Sequence, residues 1–177
     1  REKPGALNYA SGGSGGSNHV SAEWFRLKAG IEMTHVPYRG NGPAIADLLT
    51  NRVQILFTSM GPVEAMVRAG QLRAIGVTGP HRLPDFPDVP TIAESGLSGY
   101  DFSNWYGLSV AAGTPAPIVE RLNDALRKAL EMPEVQKGLA SLGGDLTVGS
   151  PAEFAAMMQA EKLRWAELVK ATGLQIE

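Results

Sequence analysis

Between residues 7 and 78 short β-rich runs alternate with helical runs, and that alternation limits what the chain can fold into. Residues 7–10 read as a strand. A helix then runs to about Lys28 from a cap at Ser17 or Asn18, and Gly30 stops it. Residues 32–36 predict a second strand. Asn41 caps a second helix whose apolar face is Ile45, Leu48 and Leu49. Residues 53–57 predict a third strand. Ser59 caps a helix through Ala69 that Gly70 stops, and residues 72–78 predict a fourth strand. The order β-α-β-α-β-α-β at these spacings suits right-handed crossovers. It implies an α/β fold, a mainly parallel sheet flanked by helices.

The pattern changes at residues 79–99, which hold Pro80, Pro84, Pro87 and Pro90. That density of proline predicts a crossover segment with one short helix at residues 91–95. Residues 101–112, with Trp105 and Tyr106, predict a strand. Thr114 caps a helix with Pro115 at its first position, and Ile118, Leu122, Leu126 and Leu130 share its face. Another helix begins near Pro133, and residues 146–148 predict a short strand. Ser150-Pro-Ala-Glu153 is a capping box that opens a long helix to about Ala171. Its core face is Phe154, Met157, Trp165 and Leu168. No internal repeat is visible.

Composition removes several function classes. The net charge is −2, with lysine and arginine dispersed, so no basic stripe points to nucleic acid or to an anionic membrane surface. No apolar run is long enough to span a bilayer. There are no cysteines, which excludes disulfides, thiolate catalysis and cysteine metal sites. The chain opens at Arg1 without an initiator methionine or a signal-peptide pattern, as a processed product or fragment would.

The junction after the first strand is the candidate site. Ser11-Gly-Gly-Ser-Gly-Gly-Ser17 places four glycines and three serines between a strand and a helix. Gly12-Gly-Ser-Gly-Gly16 matches the G-x-S-x-G nucleophile turn, with Ser14 as the nucleophile. Its partners would have to be Asp47 and then His81, and His81 lies in the proline-rich crossover. A phosphate loop requires Gly-Lys-Ser/Thr, and this loop has no lysine. The dinucleotide fingerprint fails because Asn18 stands where its third glycine belongs. The remaining chemistry is anion capture, in which glycines let several N–H groups converge and the following helix adds unpaired N–H groups and partial positive charge. Ser11, Ser14 and Ser17 add hydroxyl donors. The bland alternative is a flexible turn with Ser17 as an ordinary cap.

Two neighbouring junctions favour capture. Residues 37–41 and 57–61 also follow strands and precede helices, at the carboxyl ends of parallel strands where open α/β sheets bind ligands. Tyr38, Gly40, Thr58 and Ser59 would line the same crevice. His19 is expected to bond back to the loop, and His35 to be a satisfied core histidine. The three histidines lack ligand spacing, so no metal is expected, and no cofactor is implied. Arg39 reads as a solvated turn residue, Trp105 as either core or a wall facing the cleft, and Met157, Met158 and Trp165 as helix core.

The motifs as a series resemble a known family. They are Pro4-Gly-Ala-Leu-Asn-Tyr-Ala-Ser11, Gly13-x-Gly15 with His19, and His35-Val-Pro-Tyr-Arg-Gly40 with Pro43-Ala44 and Asp47-Leu48-Leu49. Ala69-Gly-Gln-Leu-Arg-Ala74 with Val77-Thr78 and Asp88-Val-Pro-Thr-Ile-Ala-Glu-Ser-Gly96 follow. Trp105-Tyr-Gly107 and Ala112-Gly-Thr-Pro-Ala-Pro117 complete the set. Over nearly the whole chain this order resembles the Bug family, the TctC-like extracytoplasmic solute receptors of tripartite tricarboxylate transporters.

The resemblance implies a type II periplasmic-binding-protein-like fold, in which two α/β lobes close on a ligand. It implies a periplasmic protein that is not an enzyme, captures a small organic carboxylate and delivers it to membrane transporter subunits. Residues 1–78 would be most of the second lobe, 79–100 the crossover, and 101–177 the C-terminal part of an incomplete first lobe. The first-lobe helices would then expose apolar surface, which predicts self-association. A serine hydrolase using Ser14 and a non-binding, self-associating remnant are the alternatives. Thr58 and Gln54 stand where the family often has aspartate, and Gly16 where it commonly has Ser or Thr. These departures favour a plain organic acid over an amino acid, because a counter-charge for an amino group is missing.

Overall fold

The structure is a computed structural model that describes residues 5–140 and 146–173. The first residue of the opening family motif, Pro4, and the outermost ends of the expected lobes lie outside the described residues. The described elements are β1 (Asn8–Ser11), α1 (Ser17–Ala29), β2 (Thr34–Pro37), α2 (Asn41–Leu49), β3 (Ile55–Leu56), α3 (Glu64–Arg68), α4 (Ala116–Leu130), α5 (Pro133–Ala140) and α6 (Pro151–Thr172). The chain divides into two compact units. One comprises residues 1–104 with 168–177, the other residues 105–167.

The first unit is built on a parallel sheet in the order β2-β1-β3. β1 pairs with β2 in the register Tyr9↔His35 and Ser11↔Pro37, and with β3 in the register Tyr9↔Ile55. A central strand is covered on both faces, and successive side chains point to opposite ones. Tyr9 accordingly packs with Ala22 of α1 and Met33, flanked by Phe25, Ile31, Ile55 and Phe57. Ala10 packs with Ala44 of α2 and Val53, flanked by Val36, Tyr38, Leu48 and Leu56. So α1 and α2 cover opposite faces, as crossovers of one hand require when the strand order is 2-1-3. The loops after β1 and β2 therefore leave toward opposite faces at the carboxyl ends of adjacent strands, the edge of the sheet where open α/β sheets bind ligands.

Glycine fixes where α1 stops. Gly30 adopts φ 59°, ψ 46°, the left-handed conformation that costs a glycine nothing, and Ile31 N–H donates back to Arg26 C=O at 3.2 Å. The fourth expected strand does not form. Val77 alone bridges Thr91, with Val77 N–H donating to Pro90 C=O and Ile92 N–H donating to Val77 C=O, both at 2.9 Å. Its backbone bonds are taken by the crossover segment rather than by β3. The expected helix at residues 91–95 is a run of turns, though it carries a capping box. Thr91 N–H donates to Glu94 Oε2 at 2.7 Å, and Glu94 N–H donates to Thr91 Oγ1 at 3.1 Å. The helix expected from Ser59 is shortened to α3, whose cap is Val63. Tyr100 is buried in the same unit, its ring edge-on to Phe25 and its hydroxyl donating to Ser21 C=O at 3.2 Å.

Residues 101–112, which span the boundary of the units, and residues 146–148 of the second unit are not strands, because among the described residues no neighbouring strand pairs with them. Thr114 does not cap α4. Its hydroxyl donates to Ala111 C=O at 2.8 Å, and Pro115 takes the cap position. The capping box of α6 forms as the sequence predicts. Ser150 N–H donates to Glu153 Oε2 at 2.7 Å, and Glu153 N–H donates to Ser150 Oγ at 3.2 Å. Large apolar side chains are exposed here, as expected. Tyr106 is 88% and Leu108 74% exposed, and Ile118 and Leu122 on α4 are each half-exposed. Of the expected α6 core face, Phe154 and Trp165 are half-buried and Met157 is exposed. Leu168, which belongs to the first unit, is fully buried.

Candidate functional site

The loop between β1 and α1 is held from within. Ser11 ends β1 with no exposed surface. Its hydroxyl accepts from Gly13 N–H at 3.3 Å, lies 3.0 Å from Gly13 C=O, and is 2.7 Å from His35 Nε2. Gly13 and Gly15 have φ 149° and 75°, which only glycine takes without strain. A Cβ at Gly12 would sit 2.7 Å from Asn41 Oδ1, so a side chain there would displace that amide. Gly12 C=O accepts from Gly40 N–H at 3.0 Å, and Ser11 C=O from Tyr38 N–H at 2.9 Å. These two bonds tie the β1 and β2 loops together at the carboxyl edge of the sheet.

Both α1 and α2 begin bare at this edge. The cap of α1 is Gly16 and that of α2 is Gly40, so neither supplies a capping side chain, and neither first turn contains an acidic residue. Val20 N–H makes the first α1 bond, to Gly16 C=O at 3.0 Å, which leaves the N–H groups of Ser17, Asn18 and His19 without an intrahelical acceptor. Ser17 is therefore the first helical residue rather than the cap, and Ser14 and Ser17 are both exposed. Asn18 instead reaches across to β3, its Nδ2 donating to Phe57 C=O. The next residue, Thr58, has a buried hydroxyl with no hydrogen-bond partner, and Ser59 beside it is exposed.

Behind the loop lies a buried polar cluster that sequence reading captured only in part. His19, 7% exposed, accepts the Gly15 N–H on Nδ1 at 3.0 Å, the expected bond back to the loop. Its ring stacks on His35 with centroids 3.8 Å apart, and Tyr9 stacks on His35 at 4.9 Å. The Tyr9 hydroxyl donates to Glu23 Oε1 at 2.7 Å, and Arg26 grips the same carboxylate at 2.8 Å. The charges follow from these contacts. Burial lowers the proton affinity of His19 against a weaker opposing pull from Glu23. Burial and then the neighbouring His19 push His35 down to about 4. Burial would raise the Glu23 carboxyl, but the bonds from Arg26 and Tyr9 outweigh it and hold Glu23 below the usual carboxylate range. The Tyr9 phenol is pushed well up by burial and then by Glu23. Tyr9 and His35 face each other through the β1–β2 register, a signal the separate motifs do not carry.

The remaining candidates are placed as follows. Tyr38 donates its hydroxyl to Asp47 Oδ2 at 2.8 Å, a bond that raises the phenol's pKa, while Asp47 also pairs with Arg52 at 3.3 Å. Asp47 is thus committed to Tyr38 and Arg52 and orients no histidine, which removes the Asp47–His81 arm of the hydrolase alternative. Ser11 and His35 have the separation of a nucleophile and its base, but Ser11 is sealed from solvent. Gln54 lies at the opposite end of the sheet. Its Oε1 accepts from Asn8 N–H, and its Nε2 donates to Asn51 C=O, both at 3.0 Å. The absent aspartate at that position therefore has no bearing on the loop. Trp105 belongs to the second unit, edge-on to Phe154 at 5.5 Å. That unit also has an open depression of about 300 Å³ bordered by Arg127, Leu130 and Val148, with none of the candidate residues in it. Among the described residues no cluster of three metal-binding side chains occurs, and no helix is long and apolar enough to cross a membrane.

Residues 1–174 match the family described as "Tripartite tricarboxylate transporter family receptor", TctC. The chain belongs to the TctC family. Among curated relatives it is 40% identical over 170 residues to a UPF0065 protein of Pseudomonas sp., covering 96% of this chain and 51% of that protein. It is 31% identical to protein BugT of Bordetella pertussis, covering 100% of this chain and 54% of BugT. Among solved structures, R. palustris Rpa4515 with adipate superposes at TM-score 0.84 and 32% identity, over 98% of this chain and 58% of that one. The periplasmic binding protein BugD superposes at 0.82 and 28%, over 99% and 60%. MatC from Rhodopseudomonas palustris with bound malate superposes at 0.74 and 32%, over 93% and 57%. The fold is that of the periplasmic binding proteins, and the chain spans about half the length of these TctC relatives.

Proposed function

We propose that this chain is part of a periplasmic solute-binding protein that captures a small organic carboxylate at the β1–α1 loop and hands it to a tripartite tricarboxylate transporter. One observation carries the reading. The two helices that follow β1 and β2 both start at glycine caps, without a capping side chain or an acidic first-turn residue. Helix N-termini left in this state present N–H groups and partial positive charge to an anion. The ligand carboxylate would accept from the backbone between Ser14 and His19, with the Ser14 and Ser17 hydroxyls assisting. Tyr38, Gly40, Thr58 and Ser59 would line the adjoining wall, and Ser11, Gly13 and Gly15 would shape the loop. Charge-assisted bonds of this kind contribute roughly 1.5–3 kcal/mol each. Two structural relatives were solved with dicarboxylates, adipate and malate, which supports the same ligand class here.

The reading assigns residues 1–78 to most of the second lobe, 79–100 to the crossover and 101–177 to the C-terminal part of the first. It needs no catalysis, and the isolated Ser14 favours binding without turnover. The exposed apolar side chains of the second unit favour self-association of the chain as it stands. A thermal-shift screen against organic acids, amino acids and an activated ester tests the proposal. A ligand that binds only the native state raises Tm by mass action. Adipate or malate should raise Tm saturably, and Gly15→Val should abolish the effect. Ester turnover lost in Ser14→Ala, or no response to any acid, would overturn it.

A further inference from the structure

The His19 side chain lies behind the loop rather than on it, and one of its nitrogens is spent on a loop peptide. Gly15 N–H donates to Nδ1 at 3.0 Å, so Nδ1 is unprotonated and the ring's hydrogen sits on Nε2. The ring is pinned in plane by stacking on His35, 3.8 Å away and tilted by 10°. Through Ser11, His35 is linked in turn to the Gly13 peptide. Gly15 has φ 75° and no side chain, so nothing in its own covalent structure fixes the orientation of its peptide. The hydrogen bond to His19 does.

We propose that His19 is a positioning residue, whose neutral imidazole holds the Gly15 peptide and so sets the loop in the form that receives a carboxylate. The proposal rests on the carboxylate reading for its consequence but not for its mechanism. An imidazolium has no acceptor nitrogen, so protonation of His19 must release Gly15. The surroundings oppose that protonation. The charged and titratable groups facing the pair are Tyr9 from β1, His35 from β2, and Glu23 with its partner Arg26 from α1, with Glu32 bound to Arg26 at the rim. Burial disfavours the charge on His19 and outweighs the Glu23 carboxylate, which favours it but is already engaged by Arg26 and Tyr9.

The test compares His19→Asn, whose Oδ1 can replace Nδ1 as acceptor, with His19→Leu, which has none. In the ligand-free chain the Gly15 amide resonance should move with acid as His19 titrates. It should be insensitive to acid in His19→Asn and displaced at every pH in His19→Leu. Affinity for adipate or malate should stay within about threefold in the asparagine variant and fall at least tenfold in the leucine variant. Urea unfolding of both variants identifies any loss that is only misfolding, and the asparagine arm remains decisive if leucine does not fold. A Gly15 amide unmoved by acid in the wild type, or equal affinities in the two variants, would overturn the proposal. If neither acid binds the wild type, the carboxylate reading fails while the amide titration still decides the role of His19.

Discussion

Acid should begin to loosen the first unit above the ordinary carboxylate range, and His35 sets the size of the effect. An ordinary imidazole takes up a proton near pH 6.5, while His35 is pushed down to about 4 by burial and by its stacked neighbour. The unfolded chain therefore binds a proton between those values that the folded chain refuses. Stability is complete above pH 6.5, falls as pH drops toward 4, and levels off below. At about 1.4 kcal/mol per tenfold difference in proton affinity, the limit is about 3 kcal/mol. His35 keeps partial contact with solvent, so about 2 kcal/mol is the working figure. His19 shifts in the same direction and adds to the loss. Glu23, held low by Arg26 and Tyr9 against burial, contributes stability that is fully present above the ordinary carboxylate pKa and is lost only as pH falls from that value toward its own lower one. The assay is urea unfolding at pH 7.5, 6.0, 5.0 and 4.5, followed by the folded amide signals of Tyr9 and Ala10. The midpoint should fall little between pH 7.5 and 6.5 and progressively below, and should fall less in His35→Gln. A midpoint that does not change between pH 7.5 and 5.0, or an equal slope in the variant, would refute the linkage.

Other perturbations follow from single contacts. Tyr9→Phe deprives the buried Glu23 carboxylate of one of its two side-chain donors, and should cost about 1–3 kcal/mol in chemical denaturation. Gly107→Ala would place a Cβ 2.1 Å from Phe154 Cζ, so it should destabilise the second unit by about 1–3 kcal/mol and change the fluorescence of Trp105, which packs on that ring. Ser150→Ala removes half of the capping box, and hydrogen exchange over the first turn of α6 should accelerate while the rest of the helix is unaffected. Sedimentation should reveal concentration-dependent association that weakens when Leu108 and Ile118 are replaced by polar residues.

The first five elements were legible because their signals are local. Two-residue alternation, a glycine in the left-handed region and short crossovers specify β1 to β3 and the helices between them without reference to distant residues. Residues 72–78 and 101–112 have the same β-rich composition, yet a strand also requires a partner. Val77 finds its partner in residues 90–92, and the longer run makes a single backbone bond, from Phe102 N–H to Thr78 C=O, without forming a strand among the described residues. The site divides in the same way. The bond from Gly15 to His19 spans one helical turn and can be expected from spacing. The stack of Tyr9, His35 and His19 depends on strand register and on which face α1 covers, so it emerges only from the assembled sheet. Gln54 misled for a similar reason. Its distance in sequence from Thr58 is short, but the intervening strand carries the two to opposite ends of the sheet.

The most direct test of the central claim is an amide-resolved NMR titration of the chain with adipate and with malate. The account predicts saturable shifts concentrated at residues 14–19, with weaker ones at Gly40, Asn41 and Thr58. Shifts confined to other surfaces, or none at saturating acid, would contradict it.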